Sequence, residues 1–144
     1  MNSLRFYTKL YGLTHNYKGV PYWVLTPVRQ VLRKIANKRL PHYFDTTPLC
    51  LSKRQENNLV VSLTSFPARI DYVYLTIESL LRQTILPDKI ILWLSKEQFP
   101  SVDSLPERLL CLRNNIFEIR FVEGDLRSHK KYYYTFLEYR IQVP

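Results

Sequence analysis

From Leu59 onward the hydrophobic positions switch repeatedly between two periods. "LVVSL" (59–63) is a short continuous apolar run, as in a strand buried on both faces. Val73, Ile77, Leu80 and Leu81 then fall at helical spacing, with Asp71 as the expected N-cap and Pro87 closing the unit. "KIILWL" (89–94) is a second continuous strand. In "SLPERLLCLRNN", Leu105, Leu109 and Leu112 line one side of a short helix, capped by Ser104, with Pro106 in its first turn. "FEIRFV" (117–122) alternates, which predicts a strand with one wetter face. A last helix follows Ser128. Strand starts at 59, 89 and 117 match the roughly 30-residue length of a βαβ unit. The order predicts an α/β fold: a three-stranded parallel, Rossmann-like, doubly wound half-sheet. Ligands of such sheets bind beyond the carboxyl ends of the strands. Three loops lie there, 64–69, 95–100 and 123–128.

The region before this array, 1–57, is patterned differently. Thr26 to Leu40 predicts a helix with Pro27 in its first turn and Pro41 ending it. Val28, Val31, Leu32 and Ile35 share one side, and Arg29, Arg33, Lys34 and Lys38 flank them. A basic amphipathic helix either packs on its own domain or lies on anionic lipid or a partner; its shortness favours the first. "PHYFDTTPLCLSKRQENN" has no period and reads as a linker.

Charge sharpens this division. Residues 1–57 hold ten Lys/Arg against two acids, whereas 58–144 hold eleven against ten, so nearly all of the net charge of +9 belongs to the first segment. Composition otherwise indicates a chain with a sizeable core, at 46% hydrophobic and 14% aromatic residues. No apolar run approaches the roughly 20 residues of a membrane span, and the start lacks the pattern of a signal peptide. Cys50 and Cys111 are expected to be buried thiols. No CxxC or HxxxH spacing suggests zinc, and GxGxxG, GxxxxGK[ST] and GxSxG are all missing.

Candidate chemistry therefore rests on the strand-end loops. The first holds Thr64, Ser65 and Arg69, and a guanidinium forks onto phosphate or carboxylate. The third holds Asp125, Ser128, Lys130 and Lys131. Ser128 is expected to cap the last helix, whose N-terminus favours an anion. Lysines in a first turn oppose the helix dipole and so invite an anionic ligand, while Asp125 suits a ribose hydroxyl or a base N–H. The bland alternatives are solvated lysines and an Arg69 paired with Asp71 or a carbonyl. Tyr132, Tyr133, Phe136 and Leu137 are expected to form the stripe that packs on the sheet. The near-neutral second segment and the lack of an RNP, KH or helix-turn-helix signature argue against nucleic acid.

The motifs "SLTSFPARI", "LPDKIILWLS" and "DLRSHKKYYY", within Leu59 to about Glu138, resemble bacterial glycosyltransferase-like proteins of surface-polysaccharide gene clusters, relatives of the family 2, GT-A type nucleotide-sugar transferases. The resemblance implies that the array is the nucleotide-binding half of a GT-A fold. It implies that Thr64 and Arg69 border the nucleotide, and that Asp125 and Lys130 sit beside the nucleotide and its diphosphate. The partner is then a nucleotide sugar, and the reaction is sugar transfer to a hydroxyl. The location is cytoplasmic, with a peripheral contact at the inner membrane face through Arg29, Arg33, Lys34 and Lys38.

Two departures qualify what is expected. The family continues into an Asp cluster that holds Mn²⁺ or Mg²⁺; "FLEYRIQVP" does not supply it, and "EGD" (123–125) matches the strand-end loop instead. An acid at the end of the second strand is also missing, with only Glu97 several residues late. The expectation is an N-terminal fragment that does not catalyse transfer alone, with an exposed sheet edge, and a frameshifted gene is one possible origin. The rival reading is a non-enzymatic basic adaptor for anionic membrane or nucleic acid.

Overall fold

The structure, a computed structural model, describes residues 9, 22–52, 58–124 and 126–139. The chain divides into two compact units, Met1–Pro48 and Leu49–Pro144.

In the first unit a helix, α1, runs from Tyr22 to Thr46. It is longer at both ends than the predicted 26–40, and Pro27 and Pro41 lie inside it rather than at its limits. A proline inside a helix removes a backbone hydrogen bond at a cost of about 3 kcal/mol. Buried Phe44 anchors the turn beyond Pro41. The helix stops where Thr46 donates its hydroxyl to the His42 carbonyl at 2.8 Å, and the Thr47 amide donates to Tyr43 O. The predicted apolar stripe is split: Leu32 is buried, whereas Val28 and Val31 are exposed beside exposed Arg33, Lys34 and Lys38, and Arg29 is half-buried. No described helix is long and apolar enough to cross a membrane.

The second unit is the α/β array. Strands β1 (Val60–Thr64), β2 (Lys89–Ser95) and β3 (Phe117–Val122) form an open parallel sheet in that order. Val61 pairs with Ile90 and Leu63 with Leu92; Ile90 pairs with Phe117 and Leu92 with Ile119. Central β2 is buried along nearly its whole length, which explains why it reads as an unbroken apolar run.

Helices α2 (Pro67–Leu81) and α3 (Glu107–Leu110) cover one face. Ile70, Tyr74, Ile77 and Leu81 of α2 and Leu109 of α3 form one cluster with Ile90, Leu92, Leu94 and Phe117. Helix α2 starts four residues before the predicted cap Asp71. Pro67 takes the first helical position, where its missing N–H costs nothing and its fixed φ favours the helix, and Phe66 precedes it as an extended N-cap. The predicted "SLPERLLCLRNN" helix shrinks to one turn. Ser104 lies in a 3₁₀ turn (Val102–Ser104) and donates to Ser101 O instead of capping. Cys50 and Cys111 are free and both exposed, not buried as expected, because each falls in an irregular segment at the surface.

Helix α4 (Lys130–Tyr139) lies on the opposite face, over Ile91, Trp93, Val122 and Val60. Its orientation differs from the sequence expectation. Tyr132, Tyr133, Phe136 and Leu137 point to solvent at 52%, 52%, 39% and 61% exposure. The residues turned to the sheet are Lys131, Tyr134, Thr135 and Glu138. Trp93 donates its indole N–H to Thr135 Oγ1 at 3.0 Å, and Ser62 donates to the Lys131 carbonyl at 2.6 Å. The Tyr134 ring stacks on Trp93 at 5.5 Å, and its hydroxyl donates to Glu123 O. Glu138 accepts from Arg120. These polar partners fix the helix rotation against its own apolar stripe.

Candidate functional site

The carboxyl ends of β1 and β2 open onto a cleft of about 490 Å³. Three segments build it. The turn from β1 into α2 contributes Thr64, Ser65 and Phe66; the turn after β2 contributes Gln98; the approach to α4 contributes Arg127, Ser128 and Lys130. The parallel array requires this arrangement. Every strand delivers its chain to the same end, and α4 starts there because it must cross back over the sheet.

Of the residues singled out in sequence, Thr64, Ser65, Ser128 and Lys130 come together at the cleft. Thr64 donates its hydroxyl to the Trp93 carbonyl at 2.9 Å, so toward a ligand it offers acceptor lone pairs. Ser128 is exposed in a 3₁₀ turn (Arg127–His129), and α4 begins two residues after it. Arg69 does not line the cleft. It sits exposed on the first turn of α2, with its guanidinium 5.4 Å from the centroid of Phe66, which does line it. Asp125 lies outside the described residues.

Lys130 is the most unusual group. Only 1% of it is exposed, yet it occupies the first position of a ten-residue helix. Its ammonium is desolvated and meets the positive end of the helix dipole. Both effects favour a negative charge nearby. Ser65 brings an open valence to the cleft: it is 6% exposed, and among the described residues its Oγ has no hydrogen-bond partner. A buried hydroxyl without a partner costs free energy that a bound acceptor recovers.

Ordered contacts brace the cleft from behind. Ser95 donates to Gly124 O at 3.1 Å, and Lys96 pairs with Glu123, so the end of β2 is tied to the turn after β3. Gly124 has φ +72, the left-handed conformation that glycine adopts without strain. Arg127 adopts φ +51, which costs a residue with a Cβ and places strain at the cleft wall. Farther along α4, its hydrogen bond to Glu138 and the neighbouring Glu118 raise the Arg120 pKa, against the opposing effect of burial. Partial burial, with Glu138 and Glu118 close by, raises the Tyr139 phenol above its ordinary value.

Phe66, Gln98 and Arg127 were not legible as site residues. Phe66 and Arg127 flank the motif positions, but neither carries a chemical signature by itself; Gln98 joins only because the turn after β2 folds beneath the same opening. No group of three or more His, Cys, Asp or Glu among the described residues is placed to hold a metal ion. Glu123 of "EGD" is engaged by Lys96. No protein-family model matches the chain, and no curated protein or solved structure matches it either.

Proposed function

We propose that the cleft binds the diphosphate end of a nucleotide sugar, and that the second unit is the nucleotide-facing half of a GT-A-like glycosyltransferase. The reaction class is transfer of a sugar to a hydroxyl acceptor in surface-polysaccharide synthesis. The observation that carries this reading is Lys130: a buried ammonium at the N-terminus of α4, opening onto a strand-end cleft that also presents Ser65 and Ser128. A diphosphate brings acceptor oxygens to the Ser65 and Ser128 hydroxyls and negative charge to the helix N-terminus where Lys130 sits. Thr64, Ser65 and Phe66 of "TSFPAR" and Arg127, Ser128 and Lys130 of "DLRSHKKYYY" line the same opening.

The test is thermal unfolding and calorimetric titration of the full chain with UDP, GDP, ADP and the corresponding nucleotide sugars. At least one diphosphate is expected to raise Tm, and Lys130→Met, which keeps the chain length of the side chain, is expected to weaken its binding at least tenfold. Arg69→Ala is expected to have a smaller effect, since Arg69 reaches the cleft only through Phe66. Absence of any Tm shift at millimolar nucleotide, or equal affinity in Lys130→Met, overturns the reading. Salt-sensitive binding to anionic vesicles lost on Arg33→Glu and Lys34→Glu, without nucleotide binding, favours the adaptor instead.

A further inference from the structure

The cleft has a chemical polarity, and Thr64 sets one end of it. A threonine hydroxyl carries one hydrogen and two acceptor lone pairs. At Thr64 the hydrogen is committed: Oγ1 donates to the Trp93 carbonyl at 2.9 Å, and a carbonyl can only accept. Thr64 and Trp93 are paired positions of β1 and β2, so the sheet itself holds the two groups together. The hydroxyl cannot turn to donate into the cleft without breaking that bond. Toward a ligand Thr64 is therefore an acceptor. Lys130 and Arg127 line the same cleft with side chains that carry donors and no acceptor. A ligand that satisfies both ends has an anion at one and a hydrogen-bond donor at the other.

The spacing of the two ends narrows the choice of donor. Side chains two residues apart on a strand share a face of the sheet. Ser62 donates to the Lys131 carbonyl in the first turn of α4 and shares a hydrogen bond with Thr135, so it faces that helix. Thr64 stands on the same face, about 6.6 Å farther along β1 at 3.3 Å per residue. The acceptor end thus lies one short step from the N-terminus of α4, where Lys130 sits. One pentose ring next to a phosphate covers such a step. In a nucleoside diphosphate the ribose is joined directly to the inner phosphate, and its hydroxyls are donors; the base stands farther out.

We propose that Thr64 accepts a hydrogen bond from a ribose hydroxyl of the bound nucleotide, so that the cleft selects ribonucleotides over their deoxy counterparts. The inference rests on the diphosphate reading above and adds the direction in which the nucleotide lies, with phosphates at Lys130 and ribose at Thr64. A deoxy ligand leaves the Thr64 acceptor without the donor it is placed to meet, which is how a polar site rejects an analogue that lacks a hydroxyl.

Calorimetric titration of the full chain tests this. The ligands are whichever of UDP, GDP and ADP binds best, and the 2′-deoxy and 3′-deoxy forms of that nucleotide. Removing the hydroxyl that Thr64 accepts is expected to weaken binding about fivefold, the order of one net hydrogen bond. Thr64→Val keeps the β-branched shape and deletes the acceptor. It is expected to weaken the ribo form by a similar factor and to abolish the difference between ribo and deoxy forms, and Thr64→Ser is expected to retain that difference. If Thr64 only braced the sheet through Trp93, Thr64→Val would weaken all forms alike and keep their ratio. Equal affinity for the ribo and both deoxy forms in the unmodified chain, or a preference that survives Thr64→Val, overturns the inference and leaves the diphosphate reading standing. A chain that binds none of these nucleotides overturns both.

Discussion

The two faces of the sheet are made by different forces. Beneath α2 and α3 the contacts are apolar and dense: Ile77, Leu81, Ile90, Leu92, Leu94 and Leu109 have no exposure. Beneath α4 the apolar contribution is small, and direction comes from hydrogen bonds among Ser62, Thr135, the Trp93 indole and the Lys131 carbonyl. Apolar burial is strong but does not specify orientation; a polar network contributes less free energy and fixes one geometry. That division suits the cleft. Helix α4 must present Lys130 at one place, and its rotation is set by partners that leave no alternative.

The sharpest way to separate the faces is a large-to-small change on the first. Leu92→Ala removes a fully buried side chain from the α2 cluster and is expected to lower unfolding free energy by about 3 kcal/mol, since such truncations leave a cavity the core cannot fully close. Urea titration should show the midpoint falling with little change in slope. On the second face, Thr135→Val keeps the volume and deletes the hydroxyl that Trp93 and Ser62 engage. The indole N–H is then buried with only the Ser62 hydroxyl, 3.2 Å away, to accept it. A loss of about 1–2 kcal/mol is expected. Its distinguishing signature is a changed Trp93 fluorescence and weaker nucleotide binding through displacement of Lys130, effects that Leu92→Ala should not show at matched stability.

How much of this was legible in sequence follows the same division. The apolar face was readable: continuous runs at 59–63 and 89–94 and the alternation at 117–122 place strands within a residue of β1, β2 and β3. The strand-end logic also placed Thr64, Ser128 and Lys130 at one opening. The polar face was misread. Periodicity assigned Tyr132, Tyr133, Phe136 and Leu137 to the sheet, whereas the structure turns them outward. The partners that decide the rotation, Ser62 and Trp93, lie 73 and 42 residues from Thr135, and hydropathy carries no record of such pairs. Helix α1 was cut short for a related reason. Pro27 and Pro41 are local stop signals, and the buried Phe44 beyond them outweighs the second one.

The smallest expected effect lies where the second face meets solvent. Arg120 bonds to Glu118 at 2.8 Å and to Glu138, and its guanidinium also lies 5.5 Å from the centroid of Trp93. Its side chain is about a third exposed, so solvent and salt screen most of the Coulombic attraction. Arg120→Gln keeps some packing over the indole and removes the charge. A change of roughly 0.5 kcal/mol is expected in 0.1 M salt, shrinking further in 1 M salt. Glu118 and Glu138 then remain as like charges on the β3 side. If the ion-pair group serves mainly to keep the β3 edge from pairing, Arg120→Met with Glu118→Val should leave stability nearly unchanged while promoting self-association. Stability lost without any change in assembly would instead make the group a support for α4.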